Sequence, residues 1–504
     1  MDVFSFLAEG FSVALQPFNL FMAFAGVFIG TVVGMLPGIG PVNGIIVLLP
    51  LTFALGLPPE TALIMFAGIY YGSQYGNSIS AILLNVPGTS SAVMTALEGH
   101  AMTRNGRAGP ALAMSAIASF FGGTVSVVGL MLFAPLLARF AIRFGPAEYF
   151  ALMIFAFSTL SSLSGKNIFK GLIATVLGLM LATVGLDPVS SVNRYTFGQM
   201  RLMDGIDFVV VVIGFFAINE VFQMVYGSIL GEFLTEKIGR VMISTKEFWF
   251  SFWTMVRGSI VGFFIGVLPG AGGTVASFVA YTTEQRLVDR KHTFGTGDIR
   301  GVAAPESANN AAANGAMVPL LTLGVPGSET TAILLGALLA MNITPGPLFI
   351  EQNPTLFWGL IASMYIGNLM LLVLNLPMVR VFVRMLRVPV WFLMPAVVAI
   401  SFVAVYSVNN SSFDILLMAG FGVIGFLLRQ TGFPLASVIL GLVLGPLVEN
   451  NLRRAMSISD GDWSYLFASP ISIALWIMAV VSLFLPYLLS RLAAQDDDET
   501  PQWA

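Results

Sequence analysis

Apolar segments of about 20 residues recur along the whole chain, separated by short polar or Gly/Pro-containing stretches. A helix of that length crosses the hydrocarbon core of a bilayer. The pattern predicts an all-α polytopic membrane protein with about 12 transmembrane helices. The N-terminus lacks the basic segment of a cleavable signal peptide, so we expect the first span to be retained.

The composition indicates that lipid, rather than water, surrounds most of this chain. Of its 504 residues, 57% are hydrophobic and 10% are charged, against about 25% charged residues in an average soluble domain. The net charge of −3 does not point to nucleic acid or to an acidic partner. With no Cys and two His, the chain offers no disulfide, no thiolate metal site and almost nothing for zinc.

The 23 Lys and Arg residues are unevenly distributed. Four loops carry clusters of them, namely Arg104 and Arg107; Lys237, Arg240 and Lys246; Arg286, Arg290, Lys291 and Arg300; and Arg380, Arg384 and Arg387. The positive-inside rule makes these loops candidates for the cytoplasmic face. Residues 1–103 and 301–379 contain no Lys or Arg, so an anion bound there needs other partners.

The chain contains an internal repeat. The string G-x3-G-x2-P-G-x-G occurs at 30–40 and again at 262–272, and Val-Pro-Gly followed by Thr or Ser occurs at 86–89 and 325–328. Ile-Ala-Ser, with a Gly four residues later, also occurs once in each half. Three matches in the same order predict two related halves of a secondary transporter, and we expect the two repeats to be inverted.

These matches define the expected organisation of the chain. In order, it is a first repeat at 1–205 with a hairpin near 77–98, a connector helix and charged cytoplasmic loop at 206–246, a second repeat at 247–450 with a hairpin near 314–341, a last transmembrane helix at 451–490 and an acidic tail at 491–504. Each hairpin is predicted to be helical, Gly/Pro-broken and re-entrant, because its apolar arms are too short to cross the bilayer.

The Pro-Gly-x-Gly string is the first broken element of each repeat. Pro donates no backbone hydrogen bond and Gly adopts positive φ, so the string ends one helix, exposes its last carbonyls and starts another. Carbonyl oxygens exposed in this way suit an alkali cation. A tight loop, or small-residue helix packing as at Gly30 and Gly34, is the alternative. We expect coupling-ion contacts, with Na⁺ as the only possible metal, at Pro37, Gly38, Gly40, Pro269, Gly270, Gly272 and Thr274.

The Val-Pro-Gly tip is the second broken element. Its hydroxyls and the N–H groups of a new helix N-terminus suit an anion. Helix capping accounts for one hydroxyl residue per tip, and each tip carries more. We expect substrate contacts at Asn43, at Asn85, Gly88, Thr89, Ser90 and Ser91 in the first tip, and at Gly327, Ser328, Thr330 and Thr331 in the second.

Both tips lie in the two stretches without basic residues. An anion bound there depends on N–H groups, hydroxyls and co-bound cations, which favours cation-coupled uptake. Glu306 is a carboxylate at membrane depth, and such groups are functional candidates by default. With Asn310, we expect it to bind the coupling cation, Na⁺ or H⁺. No other cofactor is expected.

Several strings in this chain resemble those of one transporter family. Y-Y-G-S-Q-Y-G at 70–76, N-V-P-G at 85–88 and P-E-S-A-N-N at 305–310 are similar to the large membrane subunit of tripartite tricarboxylate transporters, the TctA family. The resemblance covers nearly the whole chain. It implies a bacterial inner-membrane secondary transporter for di- or tricarboxylates or related organic acids, with cation-coupled, elevator-like alternating access. It also implies a small four-span membrane subunit and a periplasmic solute-binding protein as partners.

Two other functions are open to the same sequence. A stand-alone cation:organic-anion symporter without a binding protein also fits the residues. Gly295-Thr-Gly-Asp298 matches the GxGD string of intramembrane aspartyl proteases, but it lies in a charged loop and no second Asp in an apolar span completes a dyad. We therefore expect a transporter and not an enzyme.

Overall fold

The computed structural model describes residues 3–36, 40–163, 167–187, 189–226, 239–385 and 390–498. The chain forms two compact units, Met1–Ile142 with Val209–Phe426, and Arg143–Phe208 with Leu427–Ala504. Both units are built mainly from α-helices, and one two-stranded sheet lies in the second unit.

The helices and strands follow one another with short connections. From the N-terminus they are α1 (Val3–Ala14), α2 (Pro17–Met35), α3 (Gly40–Ala54), α4 (Pro59–Leu84), α5 (Val93–Arg104), α6 (Ala108–Ala141), α7 (Pro146–Leu163), α8 (Ile168–Ala182), β1 (Gly185–Leu186) and β2 (Asn193–Arg194). They continue as α9 (Phe208–Val212), α10 (Asn219–Tyr226), α11 (Thr245–Val267), α12 (Gly272–Val288), α13 (Arg300–Gly315), α14 (Met317–Leu323), α15 (Glu329–Ala340), α16 (Phe349–Gln352), α17 (Pro354–Asn375), α18 (Val379–Met385), α19 (Val390–Asn409), α20 (Ser412–Gln430), α21 (Leu435–Ile458) and α22 (Pro470–Asp498).

Six helices in the described ranges are long and apolar enough to cross a membrane, namely α2, α6, α11, α17, α20 and α21. Several further apolar helices, such as α3, α8 and α15, are shorter. The chain is therefore a multi-pass, mainly helical membrane protein. The expected total of about 12 spans stays a prediction, because length and apolar composition alone identify only these six.

Glycines bring α2 against α4, and α11 against α13, at the distance of backbone contact. A Cβ on Gly34 would lie 2.3 Å from the carbonyl oxygen of Ser73, and one on Gly266 would lie 2.3 Å from that of Ala312. Larger side chains would force these helices apart, since a packed interior has no room for an added methyl group. Gly34 and Gly266 of the repeated string therefore serve helix packing.

Described residues of three basic clusters lie close together in the first unit, while Lys237 lies outside the described residues. The Arg107 guanidinium forms an ion pair with Glu247 at the start of α11. From the same loop as Arg107, the Asn105 amide donates to the carbonyl of Thr296, between α12 and α13, at 3.2 Å. The loops that the positive-inside rule makes cytoplasmic candidates thus contact one another.

An ion-pair network holds the loop after α8 against α21 in the second unit. Nη2 of Arg453 lies 2.7 Å from Oδ2 of Asp187 and 2.6 Å from Oε1 of Glu449. Nη1 of Arg194 lies 2.7 Å from the same Glu449 oxygen. Backbone N–H groups that donate to the Asp187 carboxylate, together with Arg453, hold the pKa of Asp187 well below its ordinary value.

Candidate functional site

The chain between α4 and α5 forms the first tip. Asn85 ends α4 in the left-handed conformation, with φ of 55°. The chain then turns back along the helix, so that the N–H of Gly88 donates to the carbonyl of Asn77 at 3.4 Å. A Cβ on Gly88 would lie 1.9 Å from the carbonyl oxygen of Gly34, which leaves room only for glycine. The tip therefore lies against the end of α2.

Thr89 and Ser91 form a hydroxyl cluster around the side chain of Asn77. Nδ2 of Asn77 donates to Oγ1 of Thr89 at 2.7 Å and to Oγ of Ser91 at 3.1 Å. The two hydroxyl oxygens are 2.8 Å apart, and Ser91 also donates to Oε1 of Gln74 at 3.3 Å. The structure thus brings two predicted substrate residues together with two side chains of α4.

The second tip is closed by its own capping box. Gly324 ends α14 with φ of 69°, and Ser328 precedes α15. Oγ of Ser328 accepts from the N–H of Thr331 at 3.3 Å, while the N–H of Ser328 donates to Oγ1 of Thr331 at 2.8 Å. The Tyr70 hydroxyl lies 3.2 Å from Oγ of Ser328, and Thr330 is buried beside them. Helix capping accounts for two of the three predicted hydroxyl residues here.

The second break, between α11 and α12, contacts both tips. It contains Pro269 and Gly270, and the N–H of Gly270 donates to the carbonyl of Gly327 in the second tip at 3.0 Å. Thr274, in the first turn of α12, has its hydroxyl oxygen 2.8 Å from that of Ser90 in the first tip. Residues predicted to bind the substrate and residues predicted to bind the coupling ion therefore form one cluster.

The first break is described only in part. Gly40 and its counterpart Gly272 begin α3 and α12 with φ of 64° and 57°. A Cβ on either would lie 3.5 to 3.7 Å from a side chain of a tip. Asn43 is buried in α3, while Pro37 and Gly38 lie outside the described residues.

Glu306 and Asn310 lie on α13, and the Glu306 carboxylate contacts α5 and α6. Glu306 is fully buried, and its two carboxylate oxygens accept from Oγ1 of Thr95 at 2.6 Å and from Oγ of Ser119 at 3.0 Å. Nδ2 of Asn310 donates to the carbonyl of Glu306 at 3.0 Å. The expected coupling-ion residues therefore form two groups, one at the breaks and one around Glu306.

Asn77 and Asn309 have no assigned role from the sequence, yet both are fully buried. Within the described part of the chain, Oδ1 of Asn77 and both amide atoms of Asn309 have no hydrogen-bond partner. Buried polar atoms without partners are rare in proteins and call for a specific explanation. The sequence signal that could have identified them is their position. Asn77 directly follows Y-Y-G-S-Q-Y-G, and Asn309 lies within P-E-S-A-N-N.

The GxGD string forms an anion nest that is occupied by Glu98. Its carboxylate, which has no exposed surface, accepts from the backbone N–H groups of Gly295, Gly297 and Asp298, the last two at 2.7 and 3.0 Å. The hydroxyl of Tyr281 donates to the same carboxylate at 2.8 Å. Successive N–H groups that converge in this way bind carboxylates. The string therefore holds α5 to the loop before α13.

Asp298 of that string is an ion-pair partner of Arg300, with 2.7 Å between Oδ2 and Nη2. Partial burial raises its pKa, but hydrogen bonds from Arg300 and Thr293 hold the pKa below its ordinary value. An ionised, paired carboxylate is unsuited to the proton-sharing role of an aspartyl dyad.

Comparison with known proteins identifies the family of the chain. Residues 20–440 match the tripartite tricarboxylate transporter TctA family. The chain belongs to this family. The resemblance of its strings is thereby confirmed, and TctA is a family of transporters, not of enzymes. Its members are components of tripartite systems, which implies further subunits and a binding protein.

Two relatives in Agrobacterium vitis are similar to this TctA-family chain. An uncharacterised 52.8 kDa protein of the TAR-I ttuC' 3' region is 45% identical over 494 residues, which are 97% of this chain and 98% of the relative. An uncharacterised protein of the TAR-II ttuC' 3' region is 46% identical over 235 residues, which are 47% of this chain and 97% of the relative. No solved structure matches the chain.

Proposed function

We propose that the chain is the large membrane subunit of a tripartite system that imports an organic carboxylate across the bacterial inner membrane. Family membership supports a transporter with further subunits and a binding protein. The proposed partners are a small four-span membrane subunit and a periplasmic solute-binding protein. The cargo is a di- or tricarboxylate or a related organic acid, and its uptake is coupled to the entry of Na⁺ or H⁺.

The observation that carries this proposal is the meeting of both tips at the second break. Thr274 contacts Ser90 of the first tip at 2.8 Å, and Gly270 bonds to Gly327 of the second at 3.0 Å. Non-helical backbone at membrane depth persists only where protein, water or a ligand satisfies its polar groups. Broken helices that meet in this manner form the substrate and ion sites of secondary transporters.

The cargo's carboxylate groups are proposed to bind at the starts of the helices that follow the tips. Those helices offer N–H groups that have no helical partner and a partial positive charge, together with the hydroxyls of Thr89, Ser90 and Thr330. Since residues 1–103 and 301–379 contain no Lys or Arg, the negative charge of the cargo requires a co-bound cation. Cation coupling follows from that requirement.

Glu306 is the proposed site of charge compensation. It accepts two hydroxyl hydrogen bonds, from Thr95 and Ser119, and within the described residues it forms no ion pair. A buried carboxylate without a counter-charge is stable only when it binds a proton or lies close to a cation. Glu306, with Asn310 one turn away, therefore couples cation entry to cargo binding.

We propose that the two halves are inverted repeats. The Thr61 hydroxyl donates to Oδ1 of Asn19 at 2.7 Å, so α2 and α4 begin at the same end. The pair of Arg107 and Glu247 joins the start of α11 to the loop that follows α5. The Thr103 hydroxyl, near the end of α5, donates to the carbonyl of Ile82 near the end of α4 at 2.9 Å. Because α4 has 26 residues and is about 39 Å long, the loop after α5 and the start of α4 lie at opposite ends. That arrangement supports repeats that enter from opposite sides, and with it an elevator-like movement of the hairpin-bearing part.

Uptake by reconstituted protein tests the proposal. The chain, with its membrane partner in proteoliposomes and the binding protein outside, is offered a panel of radiolabelled carboxylates under an imposed Na⁺ gradient or an imposed proton gradient. We expect uptake of one class of carboxylate that depends on one of the two gradients. Uptake without the binding protein would indicate the stand-alone symporter, and no uptake of any carboxylate by folded protein would refute transport.

A further inference from the structure

Asn77 and Asn309 both lie beside Ser91, and among the described residues each has side-chain atoms without a hydrogen-bond partner. We propose that Asn77, Ser91 and Asn309 bind one monovalent cation of the size of Na⁺. This inference rests on the proposed transport function, because it gives the coupling cation a site. It moves Ser91 from the ligands of the cargo, as the sequence suggests, to those of the cation.

Hydrogen bonds from Nδ2 hold the side chain of Asn77 in place and leave its Oδ1 without a partner among the described residues. Its Nδ2 donates to the hydroxyls of Thr89 and Ser91, at 2.7 and 3.1 Å, and to Oε1 of Gln74 at 3.3 Å. All of these partners use the nitrogen, so Oδ1 remains without a partner among the described residues. When Ser91 donates to Thr89 rather than to Gln74, its oxygen accepts only from Asn77 and keeps one lone pair for a cation.

Asn309 reaches the same cluster because Gly273 has no side chain. A Cβ on Gly273 would lie 2.6 Å from Oδ1 of Asn309 and 3.4 Å from Cβ of Ser91. The Asn309 amide and the Ser91 side chain are therefore neighbours above the first turn of α12. Neither amide atom of Asn309 has a partner within the described ranges, and the residue is fully buried.

The chemistry of these atoms favours a monovalent cation. The available ligands are neutral amide and hydroxyl oxygens, which are hard donors of the kind that s-block cations prefer. A divalent cation normally draws several carboxylates, and in the described part of the chain no group of three or more His, Cys, Asp or Glu residues could hold a metal. An anion would face the lone pairs of two amide oxygens.

Glu306 supplies negative charge close to this site without being one of its ligands. It precedes Asn309 by three residues on α13, so the two side chains lie on the same face of the helix. Both Glu306 oxygens already accept hydroxyl hydrogen bonds from Thr95 and Ser119. A carboxylate held one turn away attracts a cation strongly in a low-dielectric interior.

The second tip does not repeat this arrangement. Ser328 and Thr331 satisfy each other in a capping box, and Ser328 contacts the hydroxyl of Tyr70. The residue that packs on Gly327 is Ala316, between α13 and α14, where the first half has Asn77 against Gly88. The two tips have diverged, and among the described residues an unpartnered side-chain oxygen, Oδ1 of Asn77, lies at the first tip and none at the second.

Cation-dependent stability of the purified protein tests the site without any cargo. Thermal unfolding in detergent is followed as NaCl replaces choline chloride at constant ionic strength, with KCl as a second series. We expect a saturable rise of the melting temperature with Na⁺ that K⁺ does not reproduce. Asn309→Leu and Ser91→Ala should each raise the half-saturating Na⁺ concentration at least tenfold. Ser91→Ala serves as the milder variant if Asn309→Leu does not fold.

Asn375→Leu is the matched control, because Asn375 is a buried amide on α17 whose Oδ1 also has no partner in the described residues. It should keep the wild-type Na⁺ response. Two results would overturn the site. One is an unchanged Na⁺ dependence of the melting temperature in both Asn309→Leu and Ser91→Ala. The other is a wild-type melting temperature that depends on pH but not on Na⁺. If wild-type protein transports a carboxylate but shows no Na⁺ response, only the site is refuted. Na⁺ binding without carboxylate uptake by the complete system would refute the transport proposal instead.

Discussion

Ser90 and Thr274 are 184 residues apart in the chain, yet their hydroxyl oxygens are 2.8 Å apart. Ser90 begins the helical turn of the first tip, and Thr274 lies in the first turn of α12. The bond therefore joins a broken element of one half to a broken element of the other. In the proposed transport cycle, this contact holds the cargo site together across the two halves.

Removal of either hydroxyl should lower uptake by a similar factor. A neutral hydrogen bond contributes about 0.5–1.5 kcal/mol, which corresponds to roughly a 2- to 10-fold loss in the initial rate. We expect this loss for Ser90→Ala and for Thr274→Val, and no further loss in the double variant, because the two side chains act through one contact. Initial rates of carboxylate uptake into proteoliposomes measure it.

Thr282→Val is the control for that series, since Thr282 lies on the same helix as Thr274 and its hydroxyl, among the described residues, bonds to backbone carbonyls of that helix, those of Phe278 and Val279. It should transport like the wild type. Additive losses in the Ser90/Thr274 double variant would argue that the hydroxyls act separately on the cargo.

Glu306→Gln should abolish concentrative uptake while the protein still folds. The Gln carbonyl can still accept from Thr95 or Ser119, which bond to Glu306 at 2.6 and 3.0 Å, but the side chain no longer carries a charge. We expect at least a tenfold lower uptake against a gradient and a melting temperature close to that of the wild type. Glu9→Gln, at an exposed position of α1, should change neither. Normal concentrative uptake by Glu306→Gln would remove Glu306 from the coupling mechanism.

Much of the broken architecture could be predicted from local residues. Gly/Pro strings mark the ends of α2, α11 and α14, and Asn85 and Gly324 adopt the left-handed conformation that their residue types tolerate. The family was also recognisable from its strings. These features are local, so the sequence reveals them directly.

The extent of α4 could not be predicted in the same way. Its polar residues from Ser73 to Ser80 reduce the apolar signal, yet the helix continues to Leu84 because glycines of α2 pack directly on its backbone. The expected hairpin near 77–98 therefore begins in the middle of a long helix. A hydropathy window does not detect a helical segment that is rich in polar residues, even where other helices of the protein bury it.

The hydrogen-bond partners of Glu98 and the position of Asn309 could not be predicted from the sequence either. Glu98 binds N–H groups that lie 197 to 200 residues further along the chain, and Asn309 reaches the first tip only because Gly273 leaves room. Such contacts depend on the packing of α5, α12 and α13 against one another. A single sequence contains no signal for that packing.

Gly262→Ala should destabilise the first unit, whereas Gly420→Ala should not. A Cβ on Gly262 would lie 2.2 Å from the carbonyl oxygen of Ala308, so α11 and α13 would have to separate. Overpacking of this kind costs about 1–3 kcal/mol. Gly420 has open space around the position of a Cβ, and alanine favours helix there. Thermal unfolding of the two variants in detergent measures the difference, and equal melting temperatures would contradict the close approach of α11 and α13.

Glu98→Gln should lower stability more than Glu148→Gln. The Glu98 carboxylate accepts four hydrogen bonds inside the protein, whereas Glu148 accepts one from the backbone N–H of Gly145 at 2.9 Å. A glutamine at position 98 offers one acceptor oxygen and leaves buried N–H groups unsatisfied, at a cost of about 1–3 kcal/mol. Unfolding temperatures of the two variants provide the test. If both variants unfold like the wild type, the nest does not stabilise the contact between α5 and the loop before α13.

Acid should destabilise the second unit through Asp187. Its pKa is lowered in the folded protein, first by the backbone N–H groups of Ser190 and Val189 and then by Arg453. A group whose folded pKa lies below its unfolded value of about 3.9 stabilises the fold above that value. The stabilisation is lost as the pH falls towards the folded pKa. The melting temperature should therefore fall below about pH 4, and Asp187→Asn should make that fall shallower while lowering stability at neutral pH. Identical pH profiles for wild type and variant would show that the ion-pair network does not contribute to stability.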